Sequence, residues 1–252
     1  VAAWVAAPAG FHPSDVYRKC RSVIVFGKKL PRAVLYAASP IPYSMVDDLA
    51  LQATHRIAWD LAIGLEARGL EALPVPAEPY EYWDAASLIG KGLLSLRHGA
   101  WLAGLGLIGR NGLLCHPEHG NLLKLGAVLC DGEFDPDLPL EGSFCAPGCR
   151  RCVEGCPSGA LGGDSVIQAK CRRHAEGSTA KGAPITVCHA CRSVCPHATG
   201  WARARDCSGQ PTGRQQSAGL LPRRGLAAES PTAAKPPWPP NGPATQPGFR
   251  SR

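Results

Sequence analysis

Apolar residues in SVIVFG (22–27) run unbroken to a glycine, the pattern of a short buried strand. From Asp47 to Arg68 the spacing lengthens to four, and Leu49, Ala53, Ile57, Leu61 and Leu65 share one helical face. Asp47 and Asp48 suit the start of that helix and Gly69 its end. ALPVP (72–76) reads as a second strand and residues 93–103 as a second helix. LLCH (113–116) and KLGAVLCD (124–131) read as two strands around a turn at His119–Asn121. Strand, helix, strand in this order predicts an α/β (or α+β) domain over residues 1–140.

After Trp201 the pattern stops. Nine of the 24 prolines lie in the last 52 residues, so 201–252 reads as a disordered, Pro-rich tail. That tail carries +6 of the +7 net charge, residues 145–200 carry +4, and residues 1–144 carry −3. The basic balance is therefore local, which argues against a chain-wide nucleic-acid surface. No apolar run reaches the roughly 18 residues of a membrane span, and VAAWVAAPAG at the start lacks the charged region of an export signal. A cytoplasmic protein without a membrane partner is expected. The chain opens on Val, so an N-terminal piece is expected to be missing.

GLGLIGRNG (104–112) matches the dinucleotide pattern G-x-G-x-x-G at Gly104, Gly106 and Gly109. That fingerprint needs a strand before the first glycine and a helix after the last. Here a helical segment precedes and a strand follows, so a tight turn is expected instead.

Eight of the twelve cysteines fall between Cys145 and Cys195. Cys149, Cys152, Cys156 and Pro157 read C-x2-C-x3-C-P, and Cys188, Cys191, Cys195 and Pro196 repeat it. Two such halves, each closed by Cys-Pro, are the signature of a two-cluster ferredoxin module over residues 141–200. Cys145 and the distant Cys171 supply the fourth ligands. The cysteine before each proline lies on a departing segment and reaches the other cluster. One [4Fe–4S] cluster is then expected on Cys145, Cys149, Cys152 and Cys195, and a second on Cys156, Cys171, Cys188 and Cys191. Eight thiolates and two oxidised cores leave a charge of roughly −4, which the region's basic residues offset. A four-cysteine zinc ribbon would leave four cysteines idle, and a disulfide scaffold suits secreted chains. Cys20, Cys115, Cys130 and Cys207 follow no ligand pattern.

With both halves placed, the chain resembles the epoxyqueuosine reductase family of iron–sulfur, cobalamin-associated proteins. The resemblance rests on AGLGLIGRN (103–111), LGAVLCD (125–131), CRRCVEGCPSGAL (149–161), the lone Cys171 and CHACRSVCP (188–196), in that order. It implies that Gly104, Gly106, Gly109, Arg110 and Asn111 form a turn beside a corrinoid pocket. It also implies electrons passing through the clusters to cobalamin, an electron-donor protein as partner, and reduction of an epoxide on a modified tRNA base. The family carries an Asp about fourteen residues before this glycine stretch; here the position falls near Gly90, in SLIGKGLL (87–94), without a carboxylate. Arg97 and His98 are the candidates to replace that acid. The departure leaves tRNA as substrate open and keeps a second reading in play, a ferredoxin-type carrier that docks to a partner reductase. HPEH (116–119) offers two histidines without a third ligand and reads as a solvated turn. His189, inside the second cysteine run, is placed to donate to a cluster sulfur.

Overall fold

The computed structural model describes residues 12–78, 81–162 and 166–202. The opening ten residues, Cys207 and the tail from residue 203 lie outside them. All described residues belong to one compact unit. A single turn, α1 (Pro13–Val16), precedes strand β1 (Ser22–Lys29). A 3-10 turn (Arg32–Tyr36) then leads into the long helix α2 (Ile41–Glu66) and strand β2 (Ala72–Val75). A small hairpin, β3 (Tyr82–Asp84) and β4 (Ile89–Lys91), is followed by α3 (Leu96–Leu102). A second hairpin, β5 (Leu107–Ile108) and β6 (Leu114–Cys115), leads to β7 (Leu123–Cys130). The cysteine region adds α4 (Arg151–Glu154), α5 (Gln168–Ala175), β8 (Glu176–Ser178), β9 (Pro184–Thr186) and α6 (Ala190–Ser193).

The unbroken apolar run of β7 places it between two partners, in the order β1-β7-β2, both antiparallel to it. Its side chains alternate between faces. Val128 and Cys130 meet Ala58, Ala62 and Leu65 of α2 on one face. Ala127 and Leu129 join Cys20, Val75 and Leu94 on the other, with Leu96 and Leu102 of α3 packed against them. The strand–helix–strand segment thus does not make adjacent strands; the later β7 occupies the gap, and the sheet is antiparallel throughout.

Three expectations are corrected. α2 begins at Ile41, ahead of Asp47, because Pro42 fits the first turn, where a missing N–H costs nothing. The Asp47 carboxylate instead accepts a hydrogen bond from Lys124 Nζ at 2.8 Å, in a pair whose side chains are 19% and 18% exposed. The buried face of α2 is Ala50, Thr54, Ala58, Ala62 and Leu65, whereas Leu49 is 60% exposed. Small residues let the helix lie close to the sheet. Gly126 of β7 shows how close: a Cβ there would meet the Phe26 ring at 2.6 Å and Thr54 at 3.2 Å. Finally, the LLCH strand pairs with β5 of the glycine stretch and not with β7. His116 and Gly120 close the expected turn with two 2.8 Å backbone hydrogen bonds.

Candidate metal centres

Both cysteine runs fold alike. α4 and α6 are single turns whose preceding residues share one backbone conformation, φ −126° and ψ 11° at Arg150 and φ −134° and ψ 21° at His189. Each turn carries one cysteine, Cys152 or Cys191. Neither helix continues: Pro157 and Pro196 follow, and the chain departs through Cys156 and Cys195.

The structure gathers the eight cysteines into two quartets. Cys145, Cys149, Cys152 and Cys195 line a small cavity together with Arg110, Asn111, Phe144 and His197. Cys156, Cys171, Cys188 and Cys191 line one end of a cavity of about 950 Å³. Cys171 arrives from a distance on α5. The thiols feel one another in the same two groups. Burial pushes Cys195 up to about 11, with Cys145, Cys152 and Cys149 adding to it. Burial likewise pushes Cys191 up to about 11; Arg192 opposes this, and Cys171, Cys188 and Cys156 reinforce it. Among the described residues no three His, Cys, Asp or Glu side chains converge as a single bound ion requires.

Of the glycine stretch, Arg110 lines the first quartet's cavity and Asn111 lines both cavities. The Asn111 amide donates to the Cys191 carbonyl at 3.1 Å and its oxygen accepts from Leu113 N at 3.2 Å, so it is fixed between the quartets. Gly104, Gly106 and Gly109 line neither cavity. Side chains there would run into the Leu138 carbonyl, the Cys115 carbonyl and the Phe144 ring respectively, so the glycines serve close packing of the β5–β6 hairpin.

The large cavity has Lys91, Arg97, Lys124, Arg172 and Arg192 on its walls, and Glu78 is the one carboxylate among its described lining residues. Gly90, at the position of the absent family carboxylate, is part of that wall. Its N–H donates to Gln168 Oε1 at 3.0 Å, while Arg172 donates to the Leu88 carbonyl at 3.0 Å and lies 4.8 Å from the Trp83 ring centre. Both Gln168 and Arg172 flank Cys171 on α5. His98 also lines the cavity, its Nδ1 2.6 Å from Ser95 Oγ, and burial lowers its pKa.

His116 and His119 stack with ring centres 4.7 Å apart in their turn. His189 lies against Tyr43 at 4.4 Å and lines neither of the two cavities. Cys115 and Cys130 are buried core residues, and Cys20 joins the core beneath β1. Sequence reasoning passed over His197 and Gln168. His197 had one available signal, its position directly after Cys195-Pro196; Gln168 had none beyond its nearness to Cys171.

No family model matches the chain. It is 39% identical over 87 residues to an epoxyqueuosine reductase of Staphylococcus aureus, covering 34% of this chain and 22% of that protein. It is 33% identical over 152 residues to an epoxyqueuosine reductase of Bacillus cereus, covering 56% of this chain and 38% of that protein. The chain thus spans well under half the length of these curated relatives. Among solved structures, epoxyqueuosine reductase from Streptococcus thermophilus superposes with a TM-score of 0.51 at 22% identity, over 75% of this chain and 52% of that one. The catabolic reductive dehalogenase NpRdhA, in complex with 3-bromo-4-hydroxybenzoic acid, gives 0.53 at 21% identity, over 74% and 26%. In sequence over the matched stretches, the chain is therefore similar to epoxyqueuosine reductases, and in fold it is similar both to these and to a reductive dehalogenase.

Proposed function

We propose that the chain is an iron–sulfur oxidoreductase in which Cys145, Cys149, Cys152 and Cys195 hold one [4Fe–4S] cluster and Cys156, Cys171, Cys188 and Cys191 hold a second. On this reading residues 1–140 are the catalytic or docking layer and residues 141–200 the ferredoxin-type region. The observation that carries it is the crossing: Cys156 lines a cavity with Cys171, Cys188 and Cys191, and Cys195 lines the other with Cys145, Cys149 and Cys152. Four thiols spread around a cavity suit a cubane, whose ligands attach at separate irons, better than one tetrahedral ion. The large cavity adjoining the second quartet fits a corrinoid in position and in its largely apolar walls. When bound, these groups supply one-electron transfer and a metal centre that receives the electrons. On this reading the protein's own part follows from its side chains. Thiolates fix the clusters, wall cations offset their negative charge, and Asn111 ties the glycine stretch to the second quartet.

A second reading, an electron carrier that docks to a partner reductase, draws support from the glycine at position 90, which offers no carboxylate there. An electron-donor protein is a partner under the first reading, and an acceptor under the second; a tRNA substrate belongs to the first alone. Anaerobic reconstitution of the chain should load about eight iron and eight sulfide, with broad absorbance near ~400 nm. Titration of the loaded protein with hydroxocobalamin then separates the two readings. Stoichiometric spectral change supports the enzyme, and no change supports the carrier. Stoichiometric zinc without iron removes both.

A further inference from the structure

Among the described residues, buried side-chain nitrogen and oxygen atoms lacking a partner occur at Asn121, His189 and His197. Such atoms are costly, because burial strips them of water and nothing replaces it. His197 is 6% exposed, its Nδ1 is fully buried without a partner, and the residue lines the cavity of the first cysteine quartet. The ring cannot turn freely. It meets the Phe144 ring edge-on at 5.5 Å, and Phe144 in turn stacks on Trp201 at 4.9 Å. On both sides the backbone is tied as well: the His197 carbonyl accepts from Cys115 Sγ at 3.3 Å, and Gly200 N donates to it at 3.0 Å. This orphaned nitrogen belongs to a residue that shares its cavity with four cysteines, and sulfur is the most abundant acceptor on those walls.

We infer that His197 is a positioning residue for the first cluster, its Nδ1–H donating to a cluster or cysteine sulfur and raising that centre's reduction potential. The inference rests on the iron–sulfur reading above. The direction follows from charge. Reduction makes the sulfurs more negative, a donor stabilises the reduced form more than the oxidised one, and hydrogen bonds to sulfur are an established lever on such potentials. His189 has the same orphaned Nδ1 but lies against Tyr43 and lines neither cavity, so it serves as the internal control.

The test is an EPR-monitored redox titration of the reconstituted full chain and of H197F, H197Q and H189F. Phe keeps the edge-on contact with Phe144 and removes the donor; Gln keeps an N–H. H197F should lower the midpoint of one centre and leave the other in place. H197Q should fall between H197F and the unaltered chain, and H189F should leave the first centre's midpoint unchanged. Intact clusters with both midpoints unchanged in H197F overturn the inference, as does an equal shift in H197F and H197Q. If H197F fails to load iron, the H189F chain labelled with 15N-histidine decides. A nitrogen hyperfine coupling to one reduced centre supports the hydrogen bond, and its absence overturns it. A chain that binds no iron in any form removes the cluster reading as well, which keeps the two failures distinct.

Discussion

The sheet region and the cysteine region are held together by different means. In the first, β7 runs through the middle of the structure with Val128, Leu129 and Cys130 fully buried, and helices cover both faces. In the second, α4 and α6 are single turns, α5 has no buried residue, and β8 and β9 are three residues each. Buried residues among those described there are few: Cys152, Ala160, Leu161, His197, Ala198 and Gly200. A stretch that size with so small a core needs staples, and on the proposed reading its clusters supply them. One region is folded by its apolar pattern; the other is shaped by short turns and, under the proposal, completed by its clusters.

Cysteine replacements break that comparison most sharply. C156S and C171S should each remove the same centre, about half of the iron, and leave the EPR signal of the other; C152S and C195S should remove the opposite one. Loss of the same centre by C152S and C156S would undo the crossed arrangement. Iron removal by chelation comes next. It should open residues 144–200 to limited proteolysis while β1, β7 and α2 stay protected against hydrogen exchange. Equal loss of protection in both regions would show a single cooperative unit. Gly126→Val attacks the sheet region alone. The added side chain meets the Phe26 ring, and overpacking of this kind costs about 1–3 kcal/mol, read as a lower midpoint in urea. The smallest effect is expected for Lys124→Met. It leaves the largely buried Asp47 carboxylate without its partner and should cost about 1 kcal/mol.

Much of this division can be read in the residues, though unevenly. SVIVFG and the LGAVLC core of KLGAVLCD are continuous apolar runs, and such runs become sheet strands, β7 in the centre and β1 at the edge. The grouping of the cysteines around two cavities is legible for a different reason: the spacing within each run is short, and a proline after the last cysteine dictates that the segment leaves. The face of α2 is misleading because Ala50, Thr54, Ala58 and Ala62 carry little hydrophobic weight, yet the close approach at Gly126 selects small residues. Large apolar residues at Met45, Leu49, Trp59 and Ile63 remain half or more exposed. Of the β5–β6 hairpin only LLCH is legible as a strand, since β5 has only two residues and shows no periodicity. His197 escaped notice because its significance lies in what surrounds it in space.

The crossing of the two cysteine runs also orders events during synthesis. A nascent chain displays the first thiol of the two quartets at Cys145, yet the first quartet lacks a member until Cys195 has left the ribosome, and the second is complete only at Cys191. Both sets therefore mature almost at the same moment, at the very end of the region. Until then every partial set is an open, oxidisable group of sulfhydryls, so on the proposed reading delivery of iron and sulfide has to wait until Cys195 has emerged.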